Sequence, residues 1–340
     1  MVDGVNFLFQ NIGCTLNLFH LHDPRLDTSL RGLIRVRLVP PLRSRLKTIC
    51  NDLSHHQLDP IDEIVEKFDF KVDRSIVERW LTRDKYIPLV GIQYLLVSLD
   101  QIHKLSLNTV KETLKNCTEM RVSTGPQNII RIPASLSDDI LYLAGVIIGD
   151  GCLCSATYRI NIEKANPQYM RSVFKPLVEK LFRIHINFKV LKRPGKQQTI
   201  LWIKKCKPLY RLLEKIFEIP RGEKARDARM SSLVRTLSPI NRVPFLTGLF
   251  DTDWGSYGGT FGTSTASKHL LKDVKETLNK LNVDFTENEY CINGFKSYHL
   301  RIARSSISNL REILAGRYGL KNPKREHVLN SIRYREVMKW

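Results

Sequence analysis

Apolar residues recur at helical spacing in the N-terminal part of the chain. Stripes at i, i+3, i+4 and i+7 begin near Leu42, Ile61 and Ile76, and a further stripe covers residues 92–107. This spacing predicts a mainly helical region with at least four helices. Residues 1–40 are strand-like and irregular, and no role is assigned to them.

The stretch 117–138 contains Thr124-Gly125-Pro126 and an Ile132-Pro133 step, which favour irregular structure. We therefore predict a linker there. The predicted domains are residues 1–138, 139–235 and 236–340.

Residues of about 42–83 resemble a helix-turn-helix of the phage-repressor kind. Asp73 is placed to cap the third predicted helix. The resemblance implies that this helix enters the DNA major groove with its first polar residues on base edges. Any small helical bundle gives the same pattern, so a helical bundle that does not contact DNA is the alternative. The candidate DNA-contacting residues are Arg74, Ser75, Glu78 and Arg79.

An internal repeat follows. Residues 143–151 read LAGVIIGDG, and residues 246–253, 103 positions later, read LTGLFDTD. Each copy is followed by alternating strand patterns, a helical stripe, a predicted hairpin and another helix. The second hairpin has the turn signal Asn293-Gly294. The pattern predicts an α+β fold of two αββαββα halves.

These residues resemble the LAGLIDADG homing endonuclease family in its single-chain, two-motif form, over residues 139–325. The resemblance implies two pseudo-symmetric halves that form a DNA-binding saddle. Small residues lie four apart in both motifs, at Gly145 and Gly149 and at Gly248 and Thr252. The small residues of each motif thus share one helical face, so we expect the backbones of the two motif helices to approach closely.

Each motif helix is predicted to end at an acid, Asp150 or Asp253. Two carboxylates near the negative ends of helix dipoles repel one another unless a cation lies between them. Two carboxylates, substrate phosphates and water suit Mg2+, for which Mn2+ is an expected substitute. The resemblance implies that both acids bind the metal and promote cleavage of both strands, which leaves 3′ overhangs. Asp251 is not expected to be catalytic, because the first motif has Ile148 at that position.

The second motif departs from the family pattern, because Trp254 lies between the acid and Gly255. Trp254 either replaces the glycine that the family has directly after the acid or is a one-residue insertion before Gly255. Glycine is the residue that allows a sharp turn, so the presentation of Asp253 is in question. Cleavage of the two strands could accordingly be unequal.

Aligning the last strands of the halves places Lys205 against Arg304. The resemblance implies a basic residue near here in the central pocket, where it organises water or offsets phosphate charge. Lys205 and Arg304 are therefore the candidate catalytic cations. The alternative is that they only neutralise DNA phosphates.

Side chains that alternate away from the predicted core are candidates for base contacts, since mixed donors and acceptors suit the major groove. An ordinary solvated sheet face has the same pattern. These candidates are Arg159, Asn161, Glu163, His185, Asn187, Lys189, Thr286, Asn288, Lys296, His299 and Arg301. The charged loop Lys192-Arg193-Pro194-Gly195-Lys196 is a candidate backbone contact.

Composition supports a polyanionic partner. Lys and Arg number 54 against 34 Asp and Glu, a formal net charge of +20. Such a field favours nucleic acid, with double-stranded DNA as the leading partner. The seven cysteines form no C-x-x-C pair, which argues against a disulfide framework and a structural zinc site. No stretch has the length of a membrane span, so we expect a soluble protein. The stretch Met1 to Phe19 has no basic leader and no small-residue cleavage site, so it does not resemble a signal peptide, and we expect an intracellular protein, in the cytoplasm or nucleoid.

Three alternatives remain. An intein endonuclease would share the motifs, but neither terminus carries the splicing residues, so we expect a free-standing monomer. A non-enzymatic DNA-binding regulator is compatible with the predicted helix-turn-helix. An intron RNA maturase is compatible with the charge.

Overall fold

The computed structural model describes residues 16, 18–21, 33–38, 40–54, 60–67, 72–82, 86–101, 112–113, 119–122, 129–133, 135–164, 166–193, 196–203, 206–292 and 295–332. The chain divides into two compact units. The first comprises Met1–Leu136, Leu181–Ile184 and Lys207–Leu212. The second comprises Ser137–Lys180, His185–Cys206 and Leu213–Trp340.

The first unit contains helices and an antiparallel sheet. Its helices are α1 (Pro40–Ser54), α2 (Pro60–Lys67), α3 (Arg74–Thr82) and α4 (Leu89–Gln101). Its strands are β1 (Ile34–Arg37), β2 (Tyr86–Pro88), β3 (Glu119–Val122) and β4 (Ile130–Arg131), in the order β2-β1-β3-β4.

This sheet corrects one expectation. The predicted linker at 117–138 contains β3 and β4. Strands of two to four residues are too short for alternation to stand out in the sequence. The strand β3 also pairs with β1, which lies more than 80 residues earlier, and such a long-range pairing leaves no local signal.

The second unit is α+β and contains two antiparallel sheets. Its longer helices are α5 (Asp138–Asp150), α6 (Lys175–Phe182, whose last two residues belong to the first unit), α7 (Val243–Asp253), α8 (Lys268–Lys280), α9 (Ile307–Arg317) and α10 (Pro323–Ser331). Shorter helical segments include Pro167–Tyr169 and Ser232–Thr236. Segments Met170–Phe174 and Leu212–Ile216 have π-helical hydrogen bonding.

The two sheets have the same strand order. The first contains β5 (Gly151–Cys154), β6 (Arg159–Lys164), β7 (Asn187–Arg193) and β8 (Lys196–Ile203), in the order β5-β6-β8-β7. The second contains β9 (Gly255–Tyr257), β10 (Thr260–Thr265), β11 (Phe285–Ile292) and β12 (Phe295–Ile302), in the order β11-β12-β10-β9. Each sheet follows one motif helix, as predicted.

The motif helices lie at the centre of the hydrophobic core of this unit. Residues 140–148 of α5 and 243–252 of α7 are buried throughout. A helix that is buried on all sides has to be apolar all round, which explains the continuous apolar runs in both motifs. Within the described part of the chain, no helix has both the length and the apolarity for a membrane crossing.

Candidate functional site

Helices α5 and α7 touch through their backbones. A Cβ on Gly145 would lie 2.1 Å from the carbonyl oxygen of Phe245, and one on Gly248 would lie 2.2 Å from that of Tyr142. Near the C-terminal ends, a Cβ on Gly149 would lie 2.1 Å from the Thr252 hydroxyl oxygen. The predicted close approach is confirmed, and no larger side chain fits at these positions.

This contact brings the two acids to the same end of the helix pair. The same hypothetical Cβ on Gly149 would be 3.4 Å from Oδ2 of Asp253, so this carboxylate lies against the residue next to Asp150. Asp253 is exposed and Asp150 is half-buried. Among the described residues, no three His, Cys, Asp or Glu side chains gather as a metal site. A metal here would complete its shell with water and substrate oxygens, as Mg2+ commonly does.

Lys224 lies behind the end of the first motif helix. Its Nζ donates to the carbonyl oxygens of Ile147 and Gly149, both at 2.8 Å, and also to that of Gly151. Burial lowers the pKa of Lys224 to about 8, while the Asp253 and Asp150 carboxylates act in the opposite direction. The lysine therefore adds a donor to carbonyls at the helix end and offsets the charge of both acids.

Arg325 occupies a comparable position at the second motif helix. Its Nη2 donates to the carbonyl oxygen of Thr252 at 3.0 Å. Burial lowers the pKa of Arg325, and Asp150, Asp253 and Asp251 each act to raise it. The two acids thus share two cations supplied by the protein, which reduces the repulsion expected between them.

Asp251 belongs to the interior and connects the second motif to the segment that carries Arg325. Its carboxylate accepts hydrogen bonds from the backbone N–H groups of Lys321 (2.9 Å) and Asn322 (3.1 Å) and from the Tyr142 hydroxyl (2.8 Å). Burial raises the pKa of Asp251 to about 6. A fully buried acid with three donors is structural, in agreement with its expected lack of a catalytic role.

Trp254 takes the capping position at the end of α7 that Gly151 takes at the end of α5. It caps α7 with φ −93° and ψ 155°, and Gly151 caps α5 with φ −88° and ψ 164°. Any residue adopts these angles, so a glycine turn is not needed there. The indole is 2% exposed and packs on Phe250 and Phe261, with ring centroids 4.4 and 5.4 Å away.

The outer face of the first sheet carries most of the predicted contact residues. In register, Asn161 pairs with Cys152 and Trp202, and Asn187 also pairs with Trp202. By strand alternation Arg159 and Lys189 belong to this same face. Glu163 is part of β6, and its side chain lies outside the described part of the structure. Arg159, Asn187 and Lys189 are exposed.

The remaining candidates of the first half lie elsewhere. His185 precedes β7, is 81% exposed and contacts the Glu179 carboxylate at 3.1 Å. Lys192 and Arg193 belong to β7 and Lys196 opens β8, so the predicted loop is shorter than expected. Residues 194–195 lie outside the described residues.

The second sheet divides its candidates between two faces. Asn288 pairs with His299 and Thr286 with Arg301, so these four share the outer face. Lys296 was wrongly assigned to that face. Lys296 lies four residues before Leu300 on the same strand, so both side chains point to the same face, and Leu300 is 1% exposed. The Lys296 Nζ forms an ion pair with Glu289 at 2.6 Å. Because Lys296 and His299 are three positions apart, their side chains point to opposite faces of the sheet.

His299 itself is packed among aromatic rings. It is 9% exposed, lies against Tyr257 and Tyr290, and hydrogen-bonds to the Tyr257 hydroxyl. The Arg301 guanidinium lies 4.9 Å above the Tyr257 ring. Burial, with a smaller contribution from Arg301, lowers the pKa of His299. Among the predicted contact residues on this face, Thr286 and Asn288 are exposed.

The side chains at the start of α3 are held by their neighbours. Arg74 forms ion pairs with Asp62 and Glu78, both at 2.9 Å. Ser75 donates to Asp73 at 2.5 Å, and hydrogen bonds from this region lower the pKa of Asp73. Both α2 and α3 are present, but residues 68–71 between them lie outside the described residues, so the helix-turn-helix remains a prediction.

Two basic residues beside the acids, Lys224 and Arg325, were not predicted. Of the predicted ones, Lys205 lies outside the described residues, and Arg304 begins a short 3-10 turn near Gly259. The sequence does contain one signal for the cations that are there. Lys224 and Arg325 are separated by 101 residues, close to the 103 that separate Asp150 and Asp253.

Comparisons with known proteins returned distant similarities. No family model matches the chain. Elongation factor 2 of Methanopyrus kandleri is 25% identical over 237 residues, which are 66% of this chain but 17% of the elongation factor, so the chain spans a small part of that relative.

Solved structures with partial similarity are homing endonucleases. I-DmoI in complex with DNA and Ca is 20% identical and covers 57% of this chain and 97% of that chain, with a TM-score of 0.41. The LAGLIDADG meganuclease I-AabMI bound to uncleaved DNA is 11% identical and covers 57% of this chain and 90% of that chain, with a TM-score of 0.36.

Proposed function

We propose that the protein is a divalent-metal-dependent endonuclease that cuts double-stranded DNA at a long, nearly non-palindromic site. The observation that carries this proposal is the contact between the two motif helices, which brings the Asp253 carboxylate against Gly149, the residue next to Asp150. A structural use of these acids does not explain why Asp253 is exposed at the end of a buried helix.

The proposed site has the donors that Mg2+ or Mn2+ requires. Asp150 and Asp253 would hold the ion, which when bound activates water and offsets phosphate charge. Lys224 and Arg325 hold the ends of the two motif helices and thereby orient the acids. Trp202 and the outer-face residues of the two sheets would contact DNA, with a pseudo-twofold between the halves.

Cleavage of a host-genome duplex library with Mg2+ tests the proposal. Asp150→Asn and Asp253→Asn proteins are run beside the wild type, with Asp227→Asn, an exposed aspartate in the turn after Lys224, as the matched control. We expect wild type and Asp227→Asn to cut at defined long sites. The other two variants should bind these sites without cutting both strands.

Other outcomes identify the alternatives. Specific DNA binding without cleavage by the wild type, in Mg2+ or Mn2+, would contradict the nuclease proposal and favour a regulator. Preferential binding of intron RNA that persists in Asp150→Asn would favour a maturase.

A further inference from the structure

Three rings form a connected row on the outer face of the second sheet. They belong to Tyr257 of β9, His299 of β12 and Tyr290 of β11, and we call them the aromatic row. The centroids of Tyr257 and His299 are 5.0 Å apart, and those of His299 and Tyr290 are 4.4 Å apart. Asn288 pairs with His299 and lies two residues before Tyr290, so the row shares the outer face with Asn288. The row therefore runs across the strands of the sheet.

Tyr290 ends the aromatic row with an accessible ring. Its side chain belongs to a residue that is 42% exposed, whereas His299 behind it is 9% exposed. His299 is in turn hydrogen-bonded to the Tyr257 hydroxyl. A single exposed apolar side chain is common on protein surfaces, but this ring packs against a buried neighbour. A ring held in this way loses little freedom when a flat group stacks on it.

Two arginines lie at the other end of the aromatic row. The Arg301 guanidinium lies 4.9 Å above the Tyr257 ring. A Cβ on Gly258 would be 3.0 Å from Nη1 of Arg301, and one on Gly259 would be 2.9 Å from Nη2 of Arg304. Both guanidinium groups therefore reach the turn that follows Tyr257.

The carboxylates of β11 lie on the opposite face of the sheet. Glu287 forms an ion pair with Lys275 of α8, and Glu289 forms one with Lys296, each at 2.6 Å. Glu287 pairs with Leu300, which is 1% exposed, so these acids share the face that packs on the core. The outer face thus combines stacked rings with positive charge, which suits a ligand that has both flat rings and phosphates.

We propose that the aromatic row binds unpaired bases of a single-stranded nucleic acid by stacking, with Arg301 and Arg304 beside its phosphates. Four-stranded sheets with exposed aromatic side chains bind unpaired bases in this way in RNA-binding modules. A duplex keeps the faces of its bases inside the stack, so the ligand differs from the duplex substrate of the proposed function. RNA and DNA single strands offer the same base faces, and the 2′-hydroxyl distinguishes them.

Binding of the full-length protein to labelled strands of about 20 nucleotides, longer than one sheet covers, tests this inference. Fluorescence anisotropy is measured in EDTA with oligothymidine, oligouridine and a thymidine–adenosine duplex of the same length. In Tyr290→Leu, which keeps an apolar side chain but removes the ring, we expect Kd for the single strands to rise about 5–30-fold. Kd for the duplex should stay within about twofold of wild type, because its bases are already stacked.

Two further comparisons separate stacking from charge. Tyr290→Phe keeps the ring and should bind single strands like wild type. A strand of the same length that lacks bases should bind wild type and Tyr290→Leu equally, because only phosphate contacts remain.

The matched control is Tyr298→Leu, which removes a ring from the opposite face of the same sheet. Tyr298 pairs with Glu289 and lies two residues before Leu300, so it faces away from the aromatic row. Its affinity for single strands should stay within about twofold of wild type. If Tyr290→Leu does not fold, wild type is photo-cross-linked to a strand that contains iodouracil, and the modified peptide is mapped. Cross-links to the aromatic row are the expected result.

A folded Tyr290→Leu protein that binds single strands like wild type would overturn the inference. So would an equal loss for the duplex or the base-free strand, an equal loss in Tyr298→Leu, cross-links confined to residues outside the row, or no single-strand binding by wild type. A loss for RNA alone or for DNA alone supports the inference and identifies the sugar that the face selects. The nuclease proposal is tested separately, because this assay contains no metal and requires no cleavage.

Discussion

Replacing Gly145 by alanine probes the helix contact on which the site depends. The added Cβ would lie 2.1 Å from the Phe245 carbonyl oxygen and 3.1 Å from Cα of Gly248. Ordinary van der Waals separations are about 3.5 Å. The opposing atoms are backbone and cannot rotate away, so the two helices have to separate locally by about 1 Å.

The energy of this change follows from two opposing effects. Overpacking a core costs about 1–3 kcal/mol and occasionally more, and a clash with backbone falls at the upper end. Alanine gains about 1 kcal/mol over glycine within a helix. We therefore expect a net loss of about 2–3 kcal/mol, or roughly 5–10 °C in the melting temperature of a unit of this size.

Gly316→Ala is the matched control, because a Cβ on Gly316 in α9 meets nothing within 4 Å. It should raise stability by up to about 1 kcal/mol. Differential scanning calorimetry of the full chain measures both variants, and cleavage assays should show Gly145→Ala losing rate more than affinity as its acids move apart. Equal melting temperatures for the two variants would refute the close-contact reasoning.

Three further predictions concern the surroundings of the acids and the second sheet. Lys224→Met should reduce single-turnover cleavage roughly 10–100-fold with little change in DNA affinity, because the end of α5 loses its position, and Lys224→Arg should restore part of the rate. Asp251→Ala should cost about 2–4 kcal/mol in the calorimeter and increase proteolysis after residue 320, since it leaves two backbone N–H groups unpaired. Because the pKa of His299 is lowered in the folded state, stability should fall as pH drops below 6.5, and urea titrations of His299→Gln should show a weaker fall.

Elements that occur twice in the sequence were predictable. The motif helices, their small-residue faces and the order of strands after them each appear in two copies, and each copy supports the other. The spacing of Gly145 and Gly149 also has one simple physical interpretation, a close contact between two helices, and α5 and α7 make that contact in the structure.

Elements defined by long-range contacts were not predictable in this way. Lys224 reaches carbonyls more than 70 residues earlier in the chain, and no local pattern marks such a contact. The strand β3 pairs with β1 from much earlier in the chain, and both β3 and β4 are short. The wrong face assigned to Lys296 has a different origin, since this error was avoidable from the sequence. Counting residues along the strand from Leu300 places Lys296 on the correct face.

The positions of Lys224 and Arg325 change the interpretation of the acid pair. From sequence, two carboxylates at helix C-termini require an external cation to lie side by side. In the structure each helix end has its own internal cation, one that donates to carbonyls of residues 147–151 and one that donates to Thr252. The approach of Asp150 and Asp253 is therefore a property of the folded chain. Asp251 accepts hydrogen bonds from the segment that carries Arg325, and Arg325 in turn donates to the helix end next to Asp253. Asp251, which has no expected catalytic role, therefore supports the position of Asp253, which has one.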